Sequence, residues 1–323
     1  MSKIMKRLFS MCMAFFIMMG LLSITPSVQR VKAADDYDAV RIKYFNYLTG
    51  GSEYDPEDPD VTSRITALTQ IAQGFWETMD TSPDRTCLWP EMPDNQYSYY
   101  INEQYKRLDY MVMTYNTRGS SLYHNVDLRN DIIDALQWMN QNRYSTTAPV
   151  APNYNWWDYQ LGGSNKLLEC TVLMYEHLTA AQVNNYVNAV LRYAPSIPED
   201  STGANRLAYA DQFVKAGVVG KRSDLIIEGR DALDPLYLEV TSGEGVYPDG
   251  SFIQHVAMAY NGGYGLGFLE EVKKSFEKAN PDIKVDIKSI VKNHKVADEL
   301  LSGQSTTDIY FFHADMFTYL QKP

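Results

Sequence analysis

A histidine and a tyrosine nine residues apart, His255 and Tyr264, could transfer protons in a shared cleft. The surrounding pattern predicts a helix that is capped by Asp249 or Ser251 and ends near Tyr260, with His255 in its middle. In an unbroken helix, nine steps of about 100° would separate the two side chains. An Asn-Gly-Gly sequence ends the helix and lets Tyr264 turn back toward His255. A histidine with a purely structural role is the alternative.

A second candidate is the amide side chain of Asn205, in the sequence Thr202-Gly203-Ala204-Asn205-Arg206. Thr202 is predicted to be the N-cap of a helix. Asn205 would then lie beside free N–H groups at the positive end of the helix dipole, where it could donate to a carboxylate. A plain helix cap is the alternative.

The third candidate is a pair of adjacent tryptophans, Trp156 and Trp157, which follow Asn155. Neighbouring side chains on a regular element point in different directions, so both indoles cannot easily be core residues. Indoles that face a cleft stack on the flat C–H faces of pyranose rings. A tryptophan that anchors the start of a helix is the alternative.

Helices are expected to position these residues. The apolar spacing between Asp38 and Leu269 is helical, no convincing alternating strand is found there, and stacked helical hairpins are predicted. The predicted helices are Val61–Met79, Ile101–Thr117, Val126–Arg143, Lys166–His177, Ala180–Tyr193, Ala204–Val218 and Ser223–Leu238. Thr62 or Ser63 is the expected cap of the first of them.

The pattern changes near Gly265–Phe268. After this point the chain becomes richer in lysine, and a helix, an alternating segment at Ile283–Ile290, a helix and a short apolar strand follow. This order predicts a β-α-β tail. Three parts are therefore expected: a signal peptide at 1–34, a helical domain at 35–266 and a separate segment at 267–323.

The amino terminus and the overall charge indicate an exported acidic protein. The first 34 residues carry five basic and no acidic side chains, an apolar run, and small residues at Val31-Lys32-Ala33. This is the order of a cleaved secretory signal peptide, with a membrane anchor as the alternative, and cleavage after Ala33 or Ala34 is expected. A net charge of −11 disfavours nucleic-acid binding. After cleavage we expect a monomer without membrane association.

Cysteine and histidine give no metal signature. No CxxC, HExxH or clustered histidine occurs, so no metal and no cofactor is expected. Cys87 and Cys170 remain after signal cleavage, and either one disulfide or two buried thiols is compatible with their positions.

The three motifs around these candidates, taken in order, resemble those of polysaccharide lyase family 8, which contains the hyaluronate, chondroitin AC and xanthan lyases. The motifs are N-W-W-D, T-G-A-N-R and D-G-S-F-I-Q-H-x4-Y-N-G-G-Y-G. The resemblance covers roughly residues 37–266. The start, Arg41-Ile42-Lys43 followed by Leu48-Thr49-Gly50-Gly51, is similar to the xanthan lyase branch. It implies an all-α fold, an α/α toroid of helical hairpins that is incomplete here, and a secreted enzyme that cleaves an acidic, uronic-acid polysaccharide by β-elimination.

The resemblance also implies roles for the candidates. Asn205 would bind the uronate carboxylate, Tyr264 would act as general base and then as acid, and His255 would assist. The substrate-binding residues would be Asn155, Trp156, Trp157 and Arg206. A catalytic arginine that the family places after the tyrosine has no counterpart, because no Arg follows Arg230.

The segment from Phe268 to Val285 is similar instead to the opening of extracellular solute-binding proteins of sugar transporters. Together the two resemblances predict a truncated or chimeric chain. A non-catalytic carbohydrate-binding remnant is the alternative to a lyase.

Overall fold

The structure is a computed structural model that describes residues 35–248, 251–254, 258–259, 273 and 277. The predicted signal peptide, and the predicted β-α-β tail apart from residues 273 and 277, lie outside the described residues. The chain divides into two units, and nearly all described residues belong to the second, Tyr37–Pro323.

Within the described residues, eight α-helices form the body of the fold. A π-helical segment, Asp158–Gly162, leads directly into α5, and short 3-10 turns occur at Tyr175–His177 and Asp234–Tyr237. The helices are α1 (Asp36–Thr49), α2 (Pro59–Glu77), α3 (Tyr99–Asn116), α4 (Val126–Asn142), α5 (Gly163–Met174), α6 (Ala180–Tyr193), α7 (Gly203–Gly220) and α8 (Ser223–Asp231).

The helices pack in two layers. Helices α3, α5 and α7 carry most of the buried side chains, and they pack against one another in chain order. Helices α2, α4, α6 and α8 lie against this inner set. This arrangement confirms the prediction of an all-α fold built like an α/α toroid.

Two predicted helix boundaries need correction. Helix α2 begins with Asp58 as its N-cap, not Thr62 or Ser63, because the Asp58 carboxylate accepts from the backbone N–H of Asp60 at 2.9 Å. The predicted helix Ser223–Leu238 ends at Asp231, and a 3-10 turn containing Pro235 follows. Proline cannot donate the backbone hydrogen bond that would continue the helix.

An ionic cluster centred on the buried Lys215 and Asp109 joins the three inner helices and consists of Asp109, Lys166, Glu169, Asp211 and Lys215. Lys215 is 1% exposed, and its Nζ lies 2.7 Å from Asp211 and 3.2 Å from Glu169. Lys166 Nζ lies 2.6 Å from Glu169 and 2.9 Å from Asp109. Burial alone would lower the pKa of Lys215, but the two carboxylates more than offset this effect and raise it.

A small antiparallel sheet follows the helices, formed by β1 (Gly245–Val246), β2 (Phe252–Gln254) and β3 (Met258–Ala259). Val246 is opposite Phe252, and Gln254 is opposite Met258.

This sheet overturns two predictions, namely that no strand occurs before Leu269 and that one helix extends to about Tyr260. The physical reason lies in the same residues. Asp249-Gly250 is a hairpin signal as well as a possible cap, and Phe252-Ile253 favours a strand.

Two further features concern the described helices and the two cysteines. None of the described helices is both long and apolar enough to cross a membrane. Cys87 and Cys170 are free thiols, and burial raises the pKa of the Cys170 thiol well above its ordinary value.

Candidate active site

A cavity of about 350 Å³ lies where the start of α7, the tryptophan pair, the 198–202 loop and the small sheet converge. It collects residues that are distant in the sequence, including two of the predicted site residues. Its lining consists of Trp156, Gln160, Pro198, Asp200, Ser201, Thr202, Asn205, Tyr209, Glu244 and Gln254.

The amino terminus of α7 forms one wall of this cavity. Thr202 occupies the predicted N-cap position, but its hydroxyl donates to the Glu244 carboxylate and does not cap the helix. Gln254 takes over that task, because its Oε1 accepts from the backbone N–H of Ala204 at 3.3 Å. Strand β2 is thereby attached to the first turn of α7.

Gly203 makes this close approach possible. Its φ of +50° lies in the left-handed region, which favours glycine. A Cβ at this position would lie 2.5 Å from Gln254 Oε1 and 2.7 Å from Phe252 Cζ. The glycine in the T-G-A-N sequence is therefore required by both its backbone conformation and the strand packed against it.

Asn205 is the third residue of α7 and is half-buried in the cavity wall. Among the described residues, no hydrogen bond engages its side-chain amide. The Asn205 amide is therefore placed to donate to an anion, whereas the neighbouring Ala204 N–H already donates to Gln254.

The tryptophan pair sits at the entry to the π-helical segment. Trp156 is 42% exposed and Trp157 is 37% exposed, so neither indole is a core residue. Trp156 lines the cavity, whereas Trp157 and Asn155 do not. The Asn155 side chain accepts from the Trp157 backbone N–H at 3.1 Å and so caps this segment.

A group of tyrosine rings packs around Tyr159, in the π-helical segment that follows the tryptophan pair. Centroid separations are 5.5 Å for Tyr154–Tyr159, 4.7 Å for Tyr159–Tyr193 and 4.7 Å for Tyr144–Tyr193. The Tyr144 hydroxyl donates to the Tyr159 carbonyl at 2.7 Å. These contacts fix the backbone that carries the exposed indoles.

The side chain of Arg206, a predicted substrate-binding residue, forms hydrogen bonds within the protein. Its guanidinium donates to the carbonyl oxygens of Ala232 at 2.7 Å, Ser201 at 3.2 Å and Glu199 at 3.3 Å. The structure does not bring this side chain into the cavity lining. Arg206 instead shapes the 198–202 loop, which forms one wall of the cavity.

Sequence reasoning missed a polar pair inside the cavity. The Tyr209 phenol donates to Gln160 Oε1 at 2.5 Å, and burial raises the pKa of Tyr209 to about 12. The phenol is therefore neutral and a proton donor near neutral pH. Each residue lies one helical turn after a predicted site residue, Tyr209 after Asn205 and Gln160 after Trp156, and this spacing was the available signal.

The described lining carries two carboxylates, Asp200 and Glu244, and no lysine or arginine. His255 and Tyr264 lie outside the described residues, although Gln254 directly precedes His255 in the sequence. The described part of the cavity can thus stack a sugar ring and hydrogen-bond a carboxylate, while the Tyr209 phenol donates its proton to Gln160. A full proton-transfer apparatus requires the two predicted residues as well.

These features fit a helical domain that handles sugars, and the comparisons with known proteins give its family. Residues 45–290 match the model described as polysaccharide lyase family 8, N terminal alpha-helical domain. The chain belongs to polysaccharide lyase family 8.

Two relatives illustrate the similarity. The chain is 40% identical over 240 residues to a xanthan lyase from Bacillus sp. (strain GL1), covering 74% of this chain and 26% of the relative. It is 33% identical over 248 residues to a hyaluronate lyase from Thermasporomyces composti, and the match covers 76% of this chain and 31% of the relative. The chain therefore spans about a quarter to a third of the length of these relatives.

Solved structures show the same fold. The chain resembles the Paenibacillus xanthan lyase with a TM-score of 0.70 and 40% identity, covering 75% of this chain and 23% of that one. It also resembles the Streptomyces coelicolor A3 chondroitin AC lyase, which was solved in complex with chondroitin sulphate. The TM-score is 0.67 and the identity is 33%, and the match covers 75% of this chain and 33% of that one.

Proposed function

We propose that this chain is the helical portion of a secreted polysaccharide lyase that cleaves a uronic-acid polysaccharide by β-elimination. The observation that carries the proposal is the cavity that joins Asn205, at the start of α7, to the exposed ring of Trp156. Family membership supplies the class of reaction, and the cavity supplies a place for its substrate.

In the proposed reaction, the Asn205 amide and the amino terminus of α7 bind the carboxylate of the uronic acid. This interaction withdraws electrons and acidifies the C5 proton. Tyr264 removes that proton as the general base. The electron pair forms the C4–C5 double bond, the C4–O bond breaks, and Tyr264 returns the proton to the leaving oxygen.

His255 is assigned the task of assisting near C5 and keeping the Tyr264 phenol ready to lose its proton. A free tyrosine has a pKa of about 10, so a neighbouring positive charge or strong hydrogen bond is required. Gln254 is a positioning residue in this scheme, because it holds the strand that leads to His255 against the first turn of α7.

Trp156 would hold a neighbouring sugar ring, and the lining favours a sparsely charged polymer. Two carboxylates and no basic side chain among the described lining residues would repel a dense polyanion such as chondroitin sulfate. Xanthan, in which acidic groups are more widely spaced, meets less repulsion. The 40% identity to a xanthan lyase supports the same choice.

The test is incubation of the purified chain with xanthan, hyaluronan and chondroitin sulfate, followed by ultraviolet absorbance of the unsaturated uronate. We expect product from xanthan, and a loss of about 10²- to 10⁴-fold in rate for Tyr264→Phe, the contribution typical of a general base. Absence of product with all three polymers would exclude catalysis by this chain. Full activity in Tyr264→Phe would refute the choice of base.

A second candidate function is carbohydrate binding without cleavage. It is favoured by the exposed Trp156 ring, which can bind sugar without any proton transfer. Calorimetric titration with xanthan separates the two functions. A Trp156→Ala variant that loses binding, from a parent that forms no product, would favour the binding function.

A further inference from the structure

A group of tyrosine rings near the tryptophan pair has no part in the scheme above. The tyrosine surface consists of Tyr97, Tyr99 and Tyr100, whose ring centroids lie 4.6 to 5.7 Å apart. Tyr97 is 42% exposed and Tyr99 is 53% exposed. Clustered aromatic rings that remain open to solvent mark a contact surface more often than isolated ones do.

Hydrogen bonds hold the tyrosine surface against the tryptophan pair. Ser98, which lies between Tyr97 and Tyr99, donates its hydroxyl to the buried Asp158 carboxylate at 2.6 Å. The same hydroxyl accepts from the Asn155 backbone N–H at 2.9 Å. Because Asn155 and Asp158 flank the two tryptophans, both aromatic groups share one rigid support.

Trp157 connects the two groups spatially. A Cβ on Gly162 would lie 2.5 Å from Trp157 Cζ3 and 2.9 Å from Asn102 Cγ, so the indole and the Asn102 amide meet at this glycine. Asn102 lies three residues after Tyr99 on α3, hence on the same helix face. Trp157 therefore links Trp156, which lines the cavity, to Asn102 on the helix face that carries Tyr99.

The chemistry of this surface suits a sugar chain. Exposed rings offer apolar faces to the C–H faces of pyranoses, and their hydroxyls can exchange hydrogen bonds with sugar hydroxyls. A hydrogen bond that the Tyr100 phenol shares with Tyr99 raises the pKa of Tyr100, so that phenol is neutral near pH 7. Neutral phenols place no charge in the path of an acidic polymer.

We propose that the tyrosine surface is a second glycan-binding subsite, which holds sugar rings of a polysaccharide that extends from the cavity past Trp157. The inference rests on the proposed function, because the cavity must hold one end of the same polymer. It predicts a dependence on chain length. A short glycan fills the cavity alone, whereas a long one reaches Tyr97 and Tyr99.

The test measures glycan binding by calorimetry in a Tyr264→Phe background, which prevents cleavage. The probes are xanthan and its single repeating unit, and the dodecasaccharide and tetrasaccharide of hyaluronan. Tyr99→Ala and Tyr97→Ala should each weaken binding of the longer probe about two- to tenfold and leave the shorter one unchanged. Tyr99→Phe, which keeps the ring, should retain most of the affinity.

Tyr123→Ala is the matched control. Tyr123 is 39% exposed, but the bond from the His124 backbone N–H to the Tyr115 carbonyl places it at the other end of α3, about 24 Å along the helix from Tyr99. This substitution should change neither probe's affinity. Trp156→Ala should weaken both probes, since it acts in the cavity.

The outcomes separate the two proposals. If Tyr99→Ala loses affinity for the longer probe and not for the shorter one, the subsite is supported even if the chain forms no product. Unchanged affinity in Tyr99→Ala and Tyr97→Ala, with loss in Trp156→Ala, overturns the subsite and keeps the cavity. Equal loss for short and long probes, or loss in Tyr123→Ala as well, also overturns the subsite. Absence of binding by the parent chain overturns both.

Discussion

The helical body and the cavity end of the molecule are held together by different kinds of contact. In the body, helices α3, α5 and α7 share the ionic cluster and a continuous apolar core. At the cavity end, strands of two or three residues rest on the first turn of α7 through Gln254 and Gly203. Global stability should therefore depend on the body, and the shape of the cavity on a few contacts at its edge.

The ionic cluster offers the most severe test of this division. Replacing Lys215 by Ala should reduce the free energy of unfolding by roughly 3–5 kcal/mol, because it removes a fully buried cation that pairs with Asp211 and, together with Lys166, with Glu169. Lys215 is 1% exposed and lies within 3.2 Å of both Glu169 and Asp211. Urea unfolding followed by circular dichroism measures the change.

An exposed ion pair provides the control. Lys106 lies 3.4 Å from Glu103, and its side chain is 48% exposed. Lys106→Ala should change the unfolding free energy by no more than about 0.5 kcal/mol, since solvent screens such pairs. Similar losses in the two lysine variants would show that the cluster does not stabilise the body.

A smaller effect is expected from the protonation of Asp109. Burial, together with the Glu169 carboxylate, raises the pKa of Asp109 to about 6 from its ordinary value of 3.8. The stability contributed by this carboxyl is fully present below pH 3.8 and is lost as the pH rises through 6. The loss amounts to roughly 1–3 kcal/mol.

Comparison with Asp109→Asn isolates this effect, because other titrating groups cancel in the difference. The unfolding free energy of the parent minus that of Asp109→Asn should decrease as the pH rises from about 4 to 7. Chemical denaturation at several pH values measures it. A difference that is constant or increases with pH would show that Asp109 does not bind a proton in this range.

The contrast between the two regions also explains what the sequence could predict. Helices such as Val126–Asn142 and Ala180–Tyr193 follow from spacing of apolar residues three and four apart, which is a local property. Asn205 and Trp156 were found from their residue types and the family resemblance, and the structure places both in one cavity.

The sheet could not be predicted in the same way. Strands β1 to β3 are too short to show periodicity, and β2 depends on its contact with Gly203, some fifty residues earlier. The contacts of Arg206 could not be predicted either, because its carbonyl partners lie in segments whose backbone course no local pattern specifies. Long-range contacts therefore determine the features of the cavity end that local patterns do not predict.

At this end, a methyl group at Gly203 should have a moderate effect. Gly203→Ala should cost about 1–3 kcal/mol, because alanine disfavours φ of +50° and its Cβ would meet Gln254 and Phe252. The Gln254 cap should move away from Ala204, so the Ala204 amide should exchange its hydrogen faster. Thermal unfolding and hydrogen exchange by NMR measure the two effects.

Gly220→Ala, at the opposite end of α7, is the control for this substitution. Its Cβ would lie 3.5 Å from Val187, an ordinary contact, so stability should be unchanged or slightly increased. Equal destabilisation by the two alanines would mean that the approach of β2 is not what requires glycine at position 203.

The smallest global effect, and the most local one, is expected at Arg206. Lysine at this position keeps the positive charge but loses the fork that reaches Ala232, Ser201 and Glu199 together. Arg206→Lys should cost about 1 kcal/mol of stability. Because the carbonyls it releases belong mainly to the 198–202 loop, the amides of that loop should exchange faster while those of α3 and α5 do not.

Arg230→Lys is the matched control, because the Arg230 guanidinium is 68% exposed and pairs only with the neighbouring Asp231 among the described residues. It should leave amide exchange in the 198–202 loop unchanged.

If Arg206→Lys also leaves amide exchange in the loop unchanged but weakens binding of the xanthan repeating unit, then the side chain contacts substrate, as the sequence predicted. If the amides throughout α3 and α5 also exchange faster, the stability of the cavity end is not independent of that of the body. Faster exchange confined to residues 198–202 would establish that the wall of the cavity is held by this one side chain.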